Sequence, residues 1–234
     1  MLNETEKRLI IENKDLLENN EFEKFFYELD EEDRHSFAEF FYLDCDINFL
    51  EYMEKIPMYL FYNSSRLKSI NIPNNIKYID ISAFEDTRSL QYISIPNSIL
   101  EINRDAFYMC STLKHIDLSE TKIEGLDESL LGECKLLESI ELPLSLSYID
   151  NGAFYKCSNL KNIKLPENLK SLGDYVFEGC KSLKSIEIPK SVKDIGWNVF
   201  KNCDNLENIV IPKRFEDELR SLYINIDKVK VKFI

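Results

Sequence analysis

The chain has 234 residues, with 42 acidic and 29 basic side chains and a formal net charge of −13 at pH 7. Such an acidic molecule repels phosphate backbones, so we expect no nucleic acid partner. The sequence has no run of 18 or more apolar residues, and it therefore predicts no membrane-spanning helix and no membrane partner.

Residues 1–60 carry most of the negative charge, with 17 acidic and 6 basic side chains. Apolar residues recur there at helical spacing in short groups, which predicts amphipathic helices. The groups are Leu9, Ile10, Leu16 and Leu17; Phe22, Phe25, Phe26 and Leu29; and Phe37, Phe40, Phe41 and Leu43. An acidic turn, Asp30, Glu31, Glu32 and Asp33, separates the second group from the third. We predict an acidic helical cap over the first repeat. In the alternative interpretation, the acidic helices bind a partner with a basic surface or mimic a polyanion.

The first residues, MLNETEKRLIIENKD, place acids where a secretory signal would carry lysines followed by an apolar run. We therefore expect a cytoplasmic protein, unless a signal has been removed from the chain.

A repeat begins at Leu67, where the pattern Leu-x-x-Ile-x-Ile/Leu first occurs. It returns at Leu90, Leu113, Leu137, Leu160, Leu183 and Leu206. Each step is 23 residues long except the step from Leu113 to Leu137, which is 24. A fixed period in this range indicates a solenoid, in which each unit covers the apolar face of the next.

The unit Leu183–Cys203 shows how the positions sort. Ile186 and Ile188 alternate with polar residues, which predicts a short strand with one buried face. Pro189 ends the strand, because proline lacks the N–H that would continue a ladder. Four later positions predict the rest of the apolar lining: Val192, Ile195, Phe200 and Cys203.

Two of these positions form columns along the repeat. The predicted Phe column is Phe84, Phe107, Leu130, Phe154, Phe177 and Phe200, and the Cys column is Thr87, Cys110, Cys134, Cys157, Cys180 and Cys203. The cysteine spacing follows the repeat and contains no Cys-x-x-Cys pair, so we expect reduced core thiols with no metal and no cofactor. A metal site and a disulfide are the weaker alternatives.

The pattern LxxIxIPxSVxxIGxxAFxxCxx resembles the leucine-rich repeat of the BspA type, from Leu67 to near Pro212. The resemblance implies an α+β chain with a leucine-rich repeat solenoid of about 23-residue units at residues 61–212 and a helical cap at residues 1–60. Repeats of this type occur on bacterial and protist surfaces and in bacteriophage genomes. They imply a recognition scaffold and bring no catalytic residues.

Two parts depart from the repeat. The unit from Leu113 carries the extra residue and has Ser119 in place of proline, which predicts a local kink and a contact point. After Pro212, the stretch RFEDELRSLYIN predicts a short helix. Val229, Val231 and Phe233 then alternate with lysines, which predicts an edge strand and completes a C-terminal cap at residues 213–234.

Catalytic constellations are scarce in this sequence. It has only two histidines, His35 and His115, and its six glycines form no phosphate-binding loop. Acid pairs such as Asp117 with Glu141 are more typical of a solvated charged face than of acid–base chemistry. We therefore expect no enzymatic activity and no small-molecule ligand.

The strand residues that point away from the core are the first candidate binding surface. Tyr92 and His115 beside Asp117 and Glu141 combine an aromatic side chain with flanking charge, as protein interfaces favour. Further along the same columns the candidates are Lys164 and Glu187. A second candidate surface consists of aromatic residues on the return side of each unit: Tyr78, Tyr148, Tyr155, Tyr175 and Trp197. Packing between adjacent units is the alternative explanation for those five.

These observations predict a non-enzymatic module that binds another protein with a basic surface. The expected cytoplasmic location suits an inhibitor or regulator of a host defence protein, encoded by a phage or mobile element and acting in the host cytoplasm. The competing class is a bacterial or protist cell-surface adhesion or structural protein, which requires export.

Overall fold

The computed structural model describes residues 49–234, which wind into a leucine-rich repeat β-solenoid with turns of about 23 residues. The helices predicted within residues 1–48, the acidic turn included, lie outside the described residues. Strand pairing already includes Lys55 and Ile56, upstream of the predicted boundary at residue 61.

Each turn of the solenoid contributes short strands to two rows. In chain order the strands are β1 Lys55–Ile56, β2 Ser69–Asn71, β3 Tyr78–Ile79, β4 Tyr92–Ser94, β5 Glu101–Ile102, β6 His115–Asp117, β7 Gly125–Leu126, β8 Ser139–Glu141, β9 Tyr148–Ile149, β10 Ser171–Leu172, β11 Ser185–Glu187, β12 Asp194–Ile195, β13 Asn208–Ile211 and β14 Lys230–Phe233. The front row contains β2, β4, β6, β8, β11, β13 and β14. The return row contains β1, β3, β5, β7, β9, β10 and β12. Short 3₁₀ helices span Phe49–Tyr52 and Lys213–Glu218.

Neighbouring strands of a row pair in parallel, but neither row is continuous. The front row has paired sets β2–β4, β6–β8 and β11–β13–β14, and the return row has β1–β3–β5 and β7–β9–β10–β12. Partners are one repeat apart, as in Ser69 with Tyr92, and the longer unit gives His115 with Ser139. The hydrogen bonds of each ladder fix the register from one turn to the next.

The core is a set of stacked columns. All the repeat leucines from Leu67 to Leu206 are buried, as are the inward strand residues Ile116, Ile140 and Ile186. The Phe rings stack almost parallel, with centroids 5.0 to 5.9 Å apart in the four stacked pairs. Phe61, one repeat before Phe84, belongs to this column although its unit lacks the opening leucine pattern. Burying one such side chain contributes about 1.5 to 3 kcal/mol.

The prediction that Leu130 belongs to the Phe column is wrong, and Leu131 occupies that position. Cys180 Sγ donates to the carbonyl of Phe154 (3.3 Å), and one turn earlier Cys157 Sγ donates to the carbonyl of Leu131 (3.1 Å). The reason is that the extra residue lies upstream, before Ile123, so every later position of that unit moves by one.

The Cys column is a ladder of thiol donors. Cys110, Cys134, Cys157 and Cys180 are fully buried and free of disulfides. Each thiol donates to a carbonyl of the preceding turn at 3.1 to 3.3 Å. Thr87 replaces the thiol with a hydroxyl and makes the same bond to the carbonyl of Phe61 (2.7 Å). Each of these carbonyls also accepts the backbone N–H three residues further along its own turn, so the ladder adds a second hydrogen bond to a buried acceptor.

The C-terminal residues cover the last turn. Phe215 of the second 3₁₀ helix is buried, and β14 pairs in parallel with β13. Lys230 and Lys232 are exposed, whereas Val231 and Phe233 pack partly against the core. Within residues 49–234, no helix has the length and apolar composition needed to cross a membrane.

Candidate protein-binding surface

From β2 to β13, the outward side chains of the front row form two columns, which we call the front columns. The first contains Ser69, Tyr92, His115, Ser139, Asn162, Ser185 and Asn208; the second contains Asn71, Ser94, Asp117, Glu141, Lys164, Glu187 and Val210. All are exposed except Ser139 and Val210, which are half-buried. The alternation that buries the isoleucines therefore places these side chains in solvent.

Among the first residues of the front columns, Tyr92 is the large hydrophobic side chain with the most exposed surface, at 64%. It lies on β4, and His115 and Asp117 lie on the next front strand, β6. Asp117 is the register partner of Glu141 on β8. Tyr92, His115, Asp117 and Glu141, the Tyr92 patch, therefore follow one another across three successive turns.

Local hydrogen bonds hold two side chains of the Tyr92 patch. A bond of 2.9 Å joins His115 Nδ1 and Ser139 Oγ across the β6–β8 pair. The Ser119 backbone N–H donates to Asp117 Oδ1 (2.9 Å). That bond lowers the pKa of Asp117, assisted by the Ser119 hydroxyl and by His115, so its negative charge persists to unusually low pH.

Lys164 and Glu187 lie at a break in the front row. Asn162–Lys164 does not form a strand, so β8 and β11 are not connected by a ladder. A groove of about 310 Å³ opens there, lined by Asn162, Lys164, Ser185, Glu187 and Asn208 among others. The sequence places these residues in the outward columns but does not reveal the groove, because their alternation matches that of the paired units.

Nearby charges partly cancel one another. Lys161 Nζ pairs with Glu138 Oε2 across adjacent turns (2.6 Å), which lowers the pKa of Glu138. Asp117 and Glu141 have no such bond to a basic side chain among the described residues. The predicted acidic partner-binding residues Asp30, Glu31, Glu32 and Asp33 lie outside the described residues.

The return-side aromatics do not form a single surface. Trp197 is 71% exposed, and Tyr148 and Tyr175 are exposed to a lesser degree. Tyr78 and Tyr155 are half-buried, and Lys156 Nζ lies 4.7 Å from the centre of the Tyr155 ring. Tyr155 is therefore partly covered and in contact with its chain neighbour Lys156, whereas Trp197 projects into solvent.

Sequence reasoning missed Leu144, whose side chain is 79% exposed. It follows the proline that ends the front strand of its unit, three residues after Glu141. In the other proline-containing units this position is polar, as in Asn97, Glu167 and Lys190. An apolar residue in an otherwise polar column was the available signal, and it adds an exposed apolar side chain near Glu141 in the sequence.

The buried thiols of the Cys column are not reactive groups. Burial raises the pKa of the ladder thiols, that of Cys203 to about 12, so none is an available nucleophile. Within residues 49–234, no group of three or more His, Cys, Asp or Glu side chains could hold a metal ion. What this surface offers is an ordered array of exposed polar, charged and aromatic groups.

A solenoid with such an array belongs to the class of leucine-rich repeat modules, which typically bind proteins and are generally non-catalytic. The chain is a member of the BspA type leucine-rich repeat family, whose six-copy repeat pattern matches residues 34–138 and 126–231. The resemblance seen in the sequence is thereby confirmed.

Several solved bacterial structures are similar. The leucine-rich repeat protein of T. pallidum is 28% identical, with a TM-score of 0.49 over 65% of this chain and 61% of that protein. A leucine-rich cell surface protein from Faecalibacterium prausnitzii is 20% identical, with a TM-score of 0.43 over 78% and 77% of the two chains. The pneumococcal vaccine antigen PcpA is 18% identical, with a TM-score of 0.40 over 72% and 68%.

This chain therefore spans about three fifths of the T. pallidum protein (61%). The comparison with curated proteins gives no match.

Proposed function

We propose that the protein is a non-enzymatic recognition module that binds another protein through the front columns, centred on the Tyr92 patch. The observation that carries the proposal is the contrast between a uniform core and outward columns that combine an aromatic ring, an imidazole, carboxylates and a lysine. An exposed aromatic side chain flanked by charge supplies large contact area and orientation at an interface.

The charges of the front columns favour a partner with a basic surface. Asp117, Glu141 and Glu187 are exposed on three front strands, whereas the basic side chains of the row, Lys164 and, on β14, Lys230 and Lys232, lie beyond the Tyr92 patch. Carboxylates of this kind steer a positively charged partner and orient it on the surface. The acidic turn at residues 30–33 is proposed to add to this attraction.

The test compares two variants of the full chain that change the same chemistry on different faces. Tyr92→Ala with Asp117→Asn and Glu141→Gln alters the Tyr92 patch. Tyr223→Ala with Asp194→Asn and Glu216→Gln removes another exposed tyrosine and two carboxylates elsewhere. Proteins captured from lysate of the source cell by the unaltered chain are identified by mass spectrometry and then titrated as purified partners.

We expect the front variant to weaken binding by about 30-fold or more, since truncating a central aromatic anchor costs about 2 kcal/mol. The control variant should bind as the unaltered chain does. Equal affinity of the front variant and the unaltered chain would refute the proposal.

The cellular context is a separate question. The sequence favours an inhibitor or regulator of a host protein in the cytoplasm, and the alternative is a surface adhesion protein of a bacterium or protist. The similar structures include one described as a cell surface protein and one as a vaccine antigen. Those likenesses concern the fold, so the deciding measurement is fractionation of the source cell with an antibody to the solenoid.

A further inference from the structure

The return row opens at the longer unit. Strands β5 and β7 are both ends of their sheets, although they belong to consecutive turns. Leu126 follows Ile116 by ten residues, whereas Ile102 follows Ile93 by nine. The extra residue is absorbed in a turn closed by the Thr121 N–H and hydroxyl, which both donate to the Leu118 carbonyl (3.0 and 2.7 Å).

The opening is local because hydrogen bonds close it at both ends. The Lys122 N–H donates to the carbonyl of Ile99 (3.4 Å) on one side, and the Asp105 N–H donates to the carbonyl of Glu128 (3.0 Å) on the other. Between these bonds lies a groove of about 540 Å³, which we call the return groove.

The walls of the return groove carry backbone groups that other turns use for pairing. Between β7 and β9, the N–H groups of Ser147 and Asp150 donate to the carbonyls of Glu124 and Leu126 (2.7 and 2.8 Å). The corresponding bonds, from Glu124 and Asp127 to Leu100 and Ile102, do not form between β5 and β7 in the described structure. Two facing strand edges thus offer donors and acceptors to the groove.

The side chains around the return groove are mainly acidic, with an aromatic wall. Glu101, Glu124 and Asp127 line it, against one basic residue, Lys122. The Tyr148 ring lies over Gly125 so closely that a Cβ there would be 1.8 Å from its Cζ atom. The Tyr148 hydroxyl donates to Asp127 Oδ1 (3.0 Å), which fixes the ring beside the groove.

Carboxylates on both walls of the return groove affect the pKa of Tyr148. The pKa of Tyr148 is raised to about 12 by burial first, then by the nearby carboxylate of Asp127, with contributions from Asp150 and from Glu101 on the opposite strand. The negative charges of both walls therefore lie close to the same side chain and to one another. At the rim, Leu100 is 41% exposed and adds an apolar surface.

We propose that the return groove binds an extended segment of a partner protein that carries lysine or arginine side chains. The backbone of the segment pairs with the open strand edges, as in the addition of a peptide to a sheet edge. Its cationic side chains contact Glu101, Glu124 and Asp127, and its aliphatic stems pack on Tyr148 and Leu100. This site is independent of the front columns and is on the other row of strands.

The test uses a fluorescein-labelled decapeptide of alternating lysine and threonine, with a glutamate–threonine decapeptide as its counterpart. Affinity for the full chain is measured by fluorescence anisotropy, and the site of binding is located by hydrogen exchange. The variant Glu101→Gln with Glu124→Gln and Asp127→Asn removes the groove charges. Its control, Asp194→Asn with Asp204→Asn and Glu216→Gln, changes the net charge equally at a distance.

We expect the lysine peptide to protect residues 100–103 and 124–127 from exchange. Binding should weaken about 10-fold or more in the groove variant, since three partly screened charge contacts are lost, and little in the control. Deleting Glu120, which restores the common unit length, should close the groove and abolish that protection.

Three outcomes would overturn the proposal. The first is equal loss of affinity in the groove variant and the control, which would mean attraction by net charge alone. The second is protection confined to residues outside the groove, or no binding of the lysine peptide. The third is self-association of the chain that depends on the three groove carboxylates, because the occupant would then be a second copy.

Discussion

At the scale of single residues, hydrogen bonding determines which residue type occupies the Cys column as much as packing does. The Cys column contains four fully buried thiols and one hydroxyl, that of Thr87, and all five donate to a carbonyl of the preceding turn. A small side chain with one donor fits the available space and gives the buried carbonyl a second hydrogen bond beside that of a backbone N–H.

Cys157 tests this explanation. Cys157→Ala removes one of the two donors to the Leu131 carbonyl, which keeps the Cys134 N–H, and we expect the free energy of unfolding to fall by about 1 kcal/mol. Cys157→Thr keeps a donor, as Thr87 does naturally, and should recover at least half of that loss. Urea denaturation of the two variants measures the difference. If Ala and Thr are equally stable, the hydrogen bond contributes nothing.

The pKa of Asp117 gives a second prediction at this scale. Ser119→Pro restores the residue found at this position in other units and removes the N–H that Asp117 accepts. The pKa of Asp117 should therefore rise toward its ordinary value, as followed by side-chain NMR in a pH titration.

The sign of the stability effect follows from the lowered pKa of folded Asp117. Its contribution is present above the pKa of the unfolded chain and is lost as pH falls through the lower pKa of the folded chain. Ser119→Pro should remove that contribution, so the two proteins should differ in the pH dependence of stability only at the acidic end. An unchanged titration of Asp117 would refute the assignment of the N–H as the main cause.

At the scale of the repeating element, position within the turn separates structural from surface aromatics. Phe177 stacks between Phe154 and Phe200 and is fully buried, whereas Trp197 lies a few residues before Phe200 and is largely exposed. We therefore expect these two aromatic side chains to contribute very different amounts to the free energy of unfolding.

Phe177→Ala should lower the free energy of unfolding by about 3 to 5 kcal/mol, because it leaves a cavity between two rings. Trp197→Ala is the matched control and should change it by about 0.5 kcal/mol or less. Thermal unfolding followed by circular dichroism compares the two. A comparable loss in both variants would contradict the distinction between the columns.

The sequence predicts these elements well where one period governs them. The spacing of the leucines and the alternation around Ile186 correctly predict the front strands, except at Asn162–Lys164, and most of the inward columns. The placement of Leu130 fails because a count from the preceding leucine cannot locate where an extra residue is absorbed. The groove at Asn162–Lys164 escapes prediction, since these residues show the same alternation as paired strands. The return groove lies in the longer unit, for which the extra residue predicts a kink and a contact point but no groove. Whether a ladder closes depends on backbone geometry between turns.

The binding roles of Tyr92, His115, Asp117, Glu141, Lys164 and Glu187 remain predictions. The alternation of the strands predicts that they point outward, and the structure places all six in solvent. Which of them a partner contacts depends on the partner, so the chain alone does not determine it.

At the scale of the whole molecule, the two ends of the solenoid need protection from further pairing. Strand β14 is the last member of its sheet and pairs on one side only. Lys230 and Lys232 are exposed along it. Charged side chains on an open strand edge discourage association with another chain.

Replacing both edge lysines by valine should therefore promote self-association at the C-terminal end. Sedimentation velocity should show dimers or larger species of Lys230→Val with Lys232→Val at concentrations where the unaltered chain does not associate. Lys184→Val with Lys193→Val, on interior turns, is the control and should sediment as the unaltered chain does. A monomeric edge variant would show that the lysines have no protective role.

The distance between neighbouring turns is nearly constant, so the length of the front columns is set by the number of turns. Paired parallel strands are about 4.8 Å apart, so each turn gained or lost changes the length of the array by one such division without disturbing the others. Duplication of a single unit could therefore match the molecule to a longer target while every existing contact kept its place.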